Sequence, residues 1–147
     1  MSVLNALKNF KIKQIFNGAA AGTTLQTSST FAMDGYNAVC IICSVGTVLT
    51  TAVMQLTAQE GSASNGSDAA NITGAQTAAY TDSGGASSNS LFIVDVLRPQ
   101  KEYITATFSR TTANVVVNNM IAILYQADKI PVTLDATVTA SNLESGN

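Results

Sequence analysis

Cys40 and Cys43 are the two cysteines of the chain, and they stand in a C-x-x-C spacing. Redox enzymes place that spacing at a helix N-terminus, where the dipole lowers a thiol pKa. Structural zinc sites need a second such pair or histidine ligands. This chain has no histidine and no further cysteine, so the partners for either chemistry are missing. The flanking residues are rich in Val and Ile, a strand composition. On a strand, positions three apart point to opposite faces and the two thiols cannot meet. They read as buried structural cysteines.

The absence of His also removes Ser-His-Asp triads, Cys-His pairs and His-ligated metals. Nine carboxylates remain: Asp34, Glu60, Asp68, Asp82, Asp95, Glu102, Asp128, Asp135 and Glu144. Their number permits a two-carboxylate hydrolase. Such sites sit in clefts with aromatic walls, however, and Phe and Tyr together number nine. Asp68 and Asp82 offer oxygen ligands of the kind calcium takes, but their spacing matches no recognised loop, and they read as solvated loop acids. Gly84 and Gly85 lack the preceding strand, following helix and Lys-Ser/Thr pair of a phosphate loop. Asn65 and Asn71 each open an Asn-x-Ser/Thr triplet, which chance supplies in a chain with 12 Asn and 32 Ser plus Thr. The expectation is a non-enzymatic protein without cofactor or metal.

Composition narrows the class further. The chain has 147 residues, 46% apolar and 11% charged; ordinary domains carry roughly a quarter charged residues. This length suits one domain. The net charge is −2 and the seven Lys and Arg are scattered. No basic cluster stands ready to neutralise a row of phosphates, so no nucleic-acid partner is expected. Residues 38–56 are nineteen positions without a charge, a candidate membrane span by hydropathy. Their Val, Ile, Thr and Cys favour strands, and Ser44, Gly46 and Thr47 interrupt them with turn formers. We read two buried strands joined by a tight turn, and no membrane partner. Lys8, Lys11 and Lys13 are followed by no continuous apolar run, so the first twenty residues do not read as a secretory signal.

These residues must be positioned by short elements. Val3, Leu4, Leu7 and Phe10 have helical spacing, with Ser2 as a cap, and Ile12, Ile15 and Phe16 follow. This segment is either the first helix or strand of the core or an arm that docks elsewhere. Residues 18–24 form a small-residue linker. Strands are expected over 25–33, 37–44, 47–59, 90–97, 101–109 and 115–125, with a short one near 69–80. In the third, Val48, Thr50, Ala52, Met54, Leu56 and Ala58 share a face; in the last of the long ones, Val115, Val117, Asn119, Ile121, Ile123 and Tyr125 do. Residues 132–140 read as an extended strand or arm. About seven to nine short strands spaced by Gly, Asn, Ser and Pro predict an all-β fold, an antiparallel, jelly-roll-like β-sandwich. The expected organisation is an N-terminal arm or helix over 1–17, the sandwich over 18–140 and a flexible tail over 141–147. Arg98 and Arg110 bracket one hairpin strand. They read either as strand-end charges facing water or as forks for the carboxylates of a neighbouring subunit.

The stretch 92–132 carries Val94-Asp95-Val96, Arg98-Pro99, Lys101, Tyr103, Arg110, Ala113-Asn114 and Ala122-Ile123-Leu124-Tyr125. It resembles the small bacteriophage capsid decoration, or cement, proteins, in which a strand ends near a Pro and a basic residue. A Tyr-led strand, an Arg-x-x-Ala-Asn loop and a long strand closing on Tyr then follow. Gly often follows the Arg and the final Tyr in that group; here Thr111 and Gln126 stand instead, so the loops differ. The resemblance covers under a third of the chain. It implies a virion component made in the host cytoplasm that sits on the capsid surface as a dimer or trimer and bridges copies of the major capsid protein. Leu4, Leu7, Phe10, Arg98 and Arg110 are the expected capsid or subunit contacts, with the loops at 61–65 and 84–89. The alternative is a head-fibre or tail-associated module that recognises host surface glycan.

Overall fold

Val, Ile and Thr are stiff at χ1 and pack well on a pleated surface, and here they build a protein that is almost entirely strand. The computed structural model describes residues 5–143. In chain order these form α1 (Ala6–Asn9), β1 (Lys11–Phe16), β2 (Ala19–Gly22), β3 (Gln26–Thr27), β4 (Phe31–Ala32) and β5 (Tyr36–Val48). They continue with β6 (Val53–Gly61), β7 (Ala70–Gln76), β8 (Tyr80–Thr81), β9 (Leu91–Leu97), β10 (Tyr103–Thr111) and β11 (Val115–Ala127). The first sheet runs β1-β11-β5-β9, with β2 also on β11; the second runs β3-β10-β6-β7, with β4 on β10 and β8 on β6. Every pairing is antiparallel. The pairs β1/β2, β3/β4 and β7/β8 each act as one interrupted strand on a single neighbour. So grouped, the chain crosses between the sheets at every connection but the one from β6 to β7. That is the two-Greek-key wiring of a jelly roll. The expected β-sandwich is the fold.

The inner faces carry the core. Phe108, Ile41, Met54, Leu56, Ile104 and Met120 are its largest fully buried side chains, each worth about 1.5–3 kcal/mol in apolar burial. Phe92 of β9 meets Phe108 of β10 edge-on at 5.2 Å, tying the two sheets at one side. On β6, Met54, Leu56 and Ala58 face inward as their alternation requires, and Ala52 just before it is buried too.

Two local expectations are corrected and two stated alternatives are decided. Residues 44–47 do not turn: β5 runs through them to Val48, and the turn falls at 49–52, where Ala52 N–H donates to Leu49 O and Thr51 takes a φ of 72°. Gly46 serves close approach instead, since a Cβ there would lie 2.9 Å from Asn118 Oδ1 and 3.1 Å from Val116 Cγ1. On β11 the register slips between Val115 and Val117 and again between Val117 and Asn119. The inward row therefore changes from Val115 and Val117 to Met120, Ala122 and Leu124, and Ile121, Ile123 and Tyr125 do not share a face with the two valines. Among the described residues of 1–17, only Ala6–Asn9 is helical, capped by Asn5; Lys11–Phe16 is a strand of the sheet, with Ile15 in the core. Ser2 and Leu4 lie outside the described residues. Finally, 132–140 forms no ladder. It runs beside β1, clipped by Gln14 N–H to Thr137 Oγ1 at 3.1 Å and by Val132 N–H to Lys8 O at 2.9 Å.

Candidate interaction surface on the first sheet

The outward faces of the two sheets differ in chemistry. On the second sheet the register lines up Ser109 with Gln55, Thr107 with Thr57 and Thr27, and Thr105 with Gln59. These polar rows are stitched further by Gln59 Nε2–H to Asn71 Oδ1 at 2.8 Å and Gln55 Nε2–H to Thr77 O at 2.9 Å. Thr57 and Thr105 lie buried in these rows, and Gln55, Gln59, Thr107 and Ser109 are half-buried.

On the first sheet the outward face begins at one end with a mixed row, Asn119, Ser44 and Leu91, and becomes mostly apolar beyond it. One row reads Gln14, Ile121, Ile42, Ile93; the next reads Ile12, Ile123, Cys40, Asp95; the one after that Tyr125, Ala38, Leu97. Leu91 and Leu97 are each 59% exposed and Ile93 is 52% exposed. Phe10, 39% exposed, stands edge-on to Tyr125 at 6.4 Å and extends the face toward α1. Antiparallel sheets with one solvated face alternate apolar and polar residues; near-continuous apolar runs mark strands covered on both faces. β9 and β11 read as the second kind while one of their faces is bare.

Within the face, the one charge is Asp95. Its carboxylate accepts a hydrogen bond from the Tyr125 hydroxyl at 2.7 Å. That bond, with burial behind it, pushes the Tyr125 phenol up to about 12. Burial, and then Asp95, also raises the Cys40 thiol. Cys43 points the other way, into the core, and burial pushes its thiol up to about 12. Both cysteines are free, on opposite faces as their spacing requires.

The expected contact residues separate. Phe10 joins the face through Tyr125, and Leu7 is half-buried on α1. Arg98 follows Leu97 at the exposed end of β9, at a φ of 54°, its N–H donating to Asn37 O at 2.8 Å. Arg110 belongs to neither of its two expected settings. It is 3% exposed and ends the inward row Ile104, Ala106, Phe108, Arg110 of β10. Its Nε–H donates to Thr24 O at 2.9 Å, and Nη1 donates to Ala20 O at 2.7 Å and to Val115 O. The guanidinium thus closes one end of the sandwich. The signal was the same alternation that marked the core, carried one step past Ser109.

The two loops expected as contacts are each organised by a carboxylate. Asp68 accepts from Ser62 N–H at 2.8 Å and Ala63 N–H at 3.0 Å, and these backbone bonds, Ala63's first, lower its pKa. Asp82 accepts from Ser87 N–H at 2.8 Å, Gly85 N–H at 2.6 Å and the Ser87 hydroxyl, the last being the main cause of its lowered pKa. Each acid is engaged by its own loop; Asp68 is exposed as expected, whereas Asp82, expected to be solvated, is buried at 3% exposure beneath those bonds. Among the described residues, no three His, Cys, Asp or Glu side chains come together to hold a metal ion, and no helix is long and apolar enough to cross a membrane.

Two smaller features flank the surface. Asp135, 9% exposed, lies 3.8 Å from Lys11 Nζ and 3.6 Å from Lys13 Nζ, tying 132–140 to the β1 edge. Beside β9, Tyr80 and Phe92 stand edge-on at 6.5 Å in a groove of about 330 Å³ that Ser87 and Ser90 also line.

No protein-family model matches the chain, and no curated protein matches its sequence. Solved structures similar to it include YomS, a protein derived from the SPBc2 prophage, at 8% identity and a TM-score of 0.42, over 84% of this chain and 98% of that one. Dimeric latent PorU from Porphyromonas gingivalis is similar at 12% identity and a TM-score of 0.49, over 82% of this chain and 13% of PorU. The Eiger TNF from S. frugiperda is similar at 9% identity and a TM-score of 0.39, over 92% and 99%.

Proposed function

We propose that this chain is a virion structural protein, a capsid decoration protein that binds the outer surface of a phage head and stabilises contacts between copies of the major capsid protein. The observation that carries the reading is the contrast between the two outward faces. One carries rows of Thr, Gln and Ser; the other presents Leu91, Ile93 and Leu97 with no described residue over them. A rigid sandwich with one such face is suited to a protein that works inside an assembly, where symmetry multiplies weak contacts into avidity. The sequence resemblance over 92–132 supports the same reading, since those residues build most of β9, all of β10 and β11, and much of that face. The role requires no catalytic group, cofactor or nucleic acid. Copy number in purified particles, by quantitative mass spectrometry against the major capsid protein, tests it. One copy per one to a few capsid subunits is the expected result, and absence from particles overturns it.

The groove between Tyr80 and Phe92 favours a second reading, a head-fibre or tail-associated module for host surface glycan, because an aromatic wall beside hydroxyls suits a sugar ring. A few copies per particle, with glycan binding lost in Tyr80→Ala, is the outcome belonging to that reading.

A further inference from the structure

We infer that the outer edge of β9 is a strand-addition site, where an extended, largely uncharged segment of another protein pairs with this chain through its backbone. The inference goes beyond the proposed function and does not depend on it. It names the chemistry of a partner, whether or not that partner belongs to a phage head.

The sandwich has four sheet edges, and three are guarded. The β1 edge carries Lys11 and Lys13, a register slip at Gln14/Phe16 and the run of 132–140 beside it. β3 and β4 are two residues each. The register of β7 with β6 slips between Thr57 and Gln59, and Gly74 stands within β7 at a φ of 80°. Short strands, lysines and bulges keep an edge from pairing with another chain. β9 has none of these. It is seven residues long, its register with β5 is unbroken from Ala38 to Ser44, and it contains no Lys and no Pro.

The backbone of this edge is unspent. In an antiparallel ladder, opposed residues alternate between exchanging both main-chain bonds and exchanging none. Arg98 N–H donates to Asn37 O at 2.8 Å, and Val45 N–H donates to Ser90 O at 3.1 Å. The even-numbered residues between, Phe92, Val94 and Val96, therefore turn their N–H and C=O groups to β5. Leu91, Ile93, Asp95 and Leu97 turn theirs away, and no described strand pairs with them. They form a row about 20 Å long in which donors and acceptors alternate. Such a row is matched by another extended backbone.

Side chains at the two ends set what the segment carries. Phe92 stands edge-on to Tyr80 at 6.5 Å. Their groove of about 330 Å³ is lined by Tyr80 from the edge of the second sheet and by Leu91 and Phe92 from the edge of the first. On an added antiparallel strand, the residue opposite Phe92 shares its inner face. An apolar side chain at that position enters the groove, which this inference gives to a side chain rather than to a sugar. At the far end, Arg98 is exposed, and no carboxylate of the described residues pairs with it. An acidic residue of the segment meets it. Asp95 is already engaged by Tyr125, so the positions between stay neutral. The segment is thus acidic at its N-terminal end and apolar near its C-terminal end, with strand formers such as Val, Ile and Thr between.

The test uses the full chain, random linear peptides of about twelve residues, long enough to span the edge, and amide hydrogen exchange by NMR. In the free chain the Leu91, Ile93, Asp95 and Leu97 amides are expected to exchange about tenfold or more faster than those of Phe92, Val94 and Val96. Selection of a displayed peptide library on the immobilised chain is expected to enrich the pattern above. The best peptide, synthesised, is expected to slow the four outward amides about tenfold or more. N-methylation at one alternate set of its residues is expected to weaken binding about tenfold or more, and at the other set to leave it within about twofold. Ile93→Pro removes one outward donor while keeping the β5 ladder, and the same loss is expected; the methylated peptides ask the same question of an unaltered chain. Gln76→Lys, exposed on β7 of the other sheet, is expected to bind as wild type. Failure to enrich any peptide overturns the inference, as does binding indifferent to which alternate set is methylated. Outward amides that slow with chain concentration alone give the edge to a second copy and overturn it too. Copy number in particles bears only on the virion reading: absence there leaves a measured strand addition standing, and presence does not rescue a failed one.

Discussion

Tyr125 of β11 donates its hydroxyl hydrogen to Asp95 of β9 at 2.7 Å, across the whole width of the strand between them. The bond pins the end of the apolar face and fixes the ring against which Phe10 stacks. It also places the one charge of that face in a bond before any partner arrives.

The bond predicts a late-titrating tyrosine. With the phenol pushed up to about 12, the folded chain holds this proton more tightly than the unfolded chain, whose tyrosines ionise near pH ~10. Stability from the bond is therefore full below pH ~10 and is lost as pH rises toward 12. Tyrosinate absorbance against pH, read as the difference between wild type and Tyr125→Phe, is expected to isolate this group. Asp95→Asn is expected to bring its ionisation back toward the ordinary value.

Arg110 is expected to be among the most sensitive positions outside the aliphatic core. Arg110→Ala strips donors from Ala20 O, Thr24 O and Val115 O at once. The expected loss is about 3 kcal/mol, or roughly 10 °C in Tm for a domain of this size. Arg110→Lys restores one donor direction and not the fork, so its Tm is expected to fall between the two. A fully exposed, partner-binding arginine would leave the Tm of the isolated chain unchanged.

Asp82 makes its loop sensitive to acid. Its pKa is lowered in the folded chain by Ser87 and Gly85. The contribution is thus present above the ordinary carboxylate value near ~3.9 and is lost as pH falls through the lowered folded value. Protection of the Gly85 and Ser87 amides, their exchange rates taken relative to the intrinsic rate at each pH, is expected to fall below pH ~4. In Asp82→Asn exchange is expected to be fast already at neutral pH, since an amide offers one acceptor oxygen for three donors.

The two cysteines are expected to differ in reactivity. A bulky thiol reagent at neutral pH labels Cys40 slowly, because burial and Asp95 raise its pKa, and does not label Cys43 until the chain unfolds. Mild oxidation of the monomer is expected to give no Cys40–Cys43 disulfide by mass spectrometry. Such a bridge would mean that β5 is not a strand.

Strand positions and core rows were legible wherever alternation is local. Met54, Leu56 and Ala58 on β6, and Phe92, Val94 and Val96 on β9, took the faces their spacing assigns. The C-x-x-C pair also resolved without a structure, because period two alone separates Cys40 from Cys43. Alternation failed where a distant strand intervened. The two slips on β11 depend on its fit to β5 and reverse the phase of Ile121, Ile123 and Tyr125 relative to Val115. Gly46 resembles a turn former until Asn118 and Val116 close over it. Arg110 joins an inward row only because β10 continues one turn of the pleat past Ser109, and carbonyls far away in sequence wait there to receive it.

The residue order by itself determined an all-β chain, the inner rows of most strands and the lack of any imidazole chemistry. These follow from composition and from a period of two residues, which are properties of neighbours along the chain. Tertiary structure alone decided which apolar rows found a partner. Ile93 and Val94 are adjacent and chemically alike, yet Val94 is covered by the opposite sheet and Ile93 is bare. The difference lies in a sheet having two faces while this chain supplies a second sheet for only one of them.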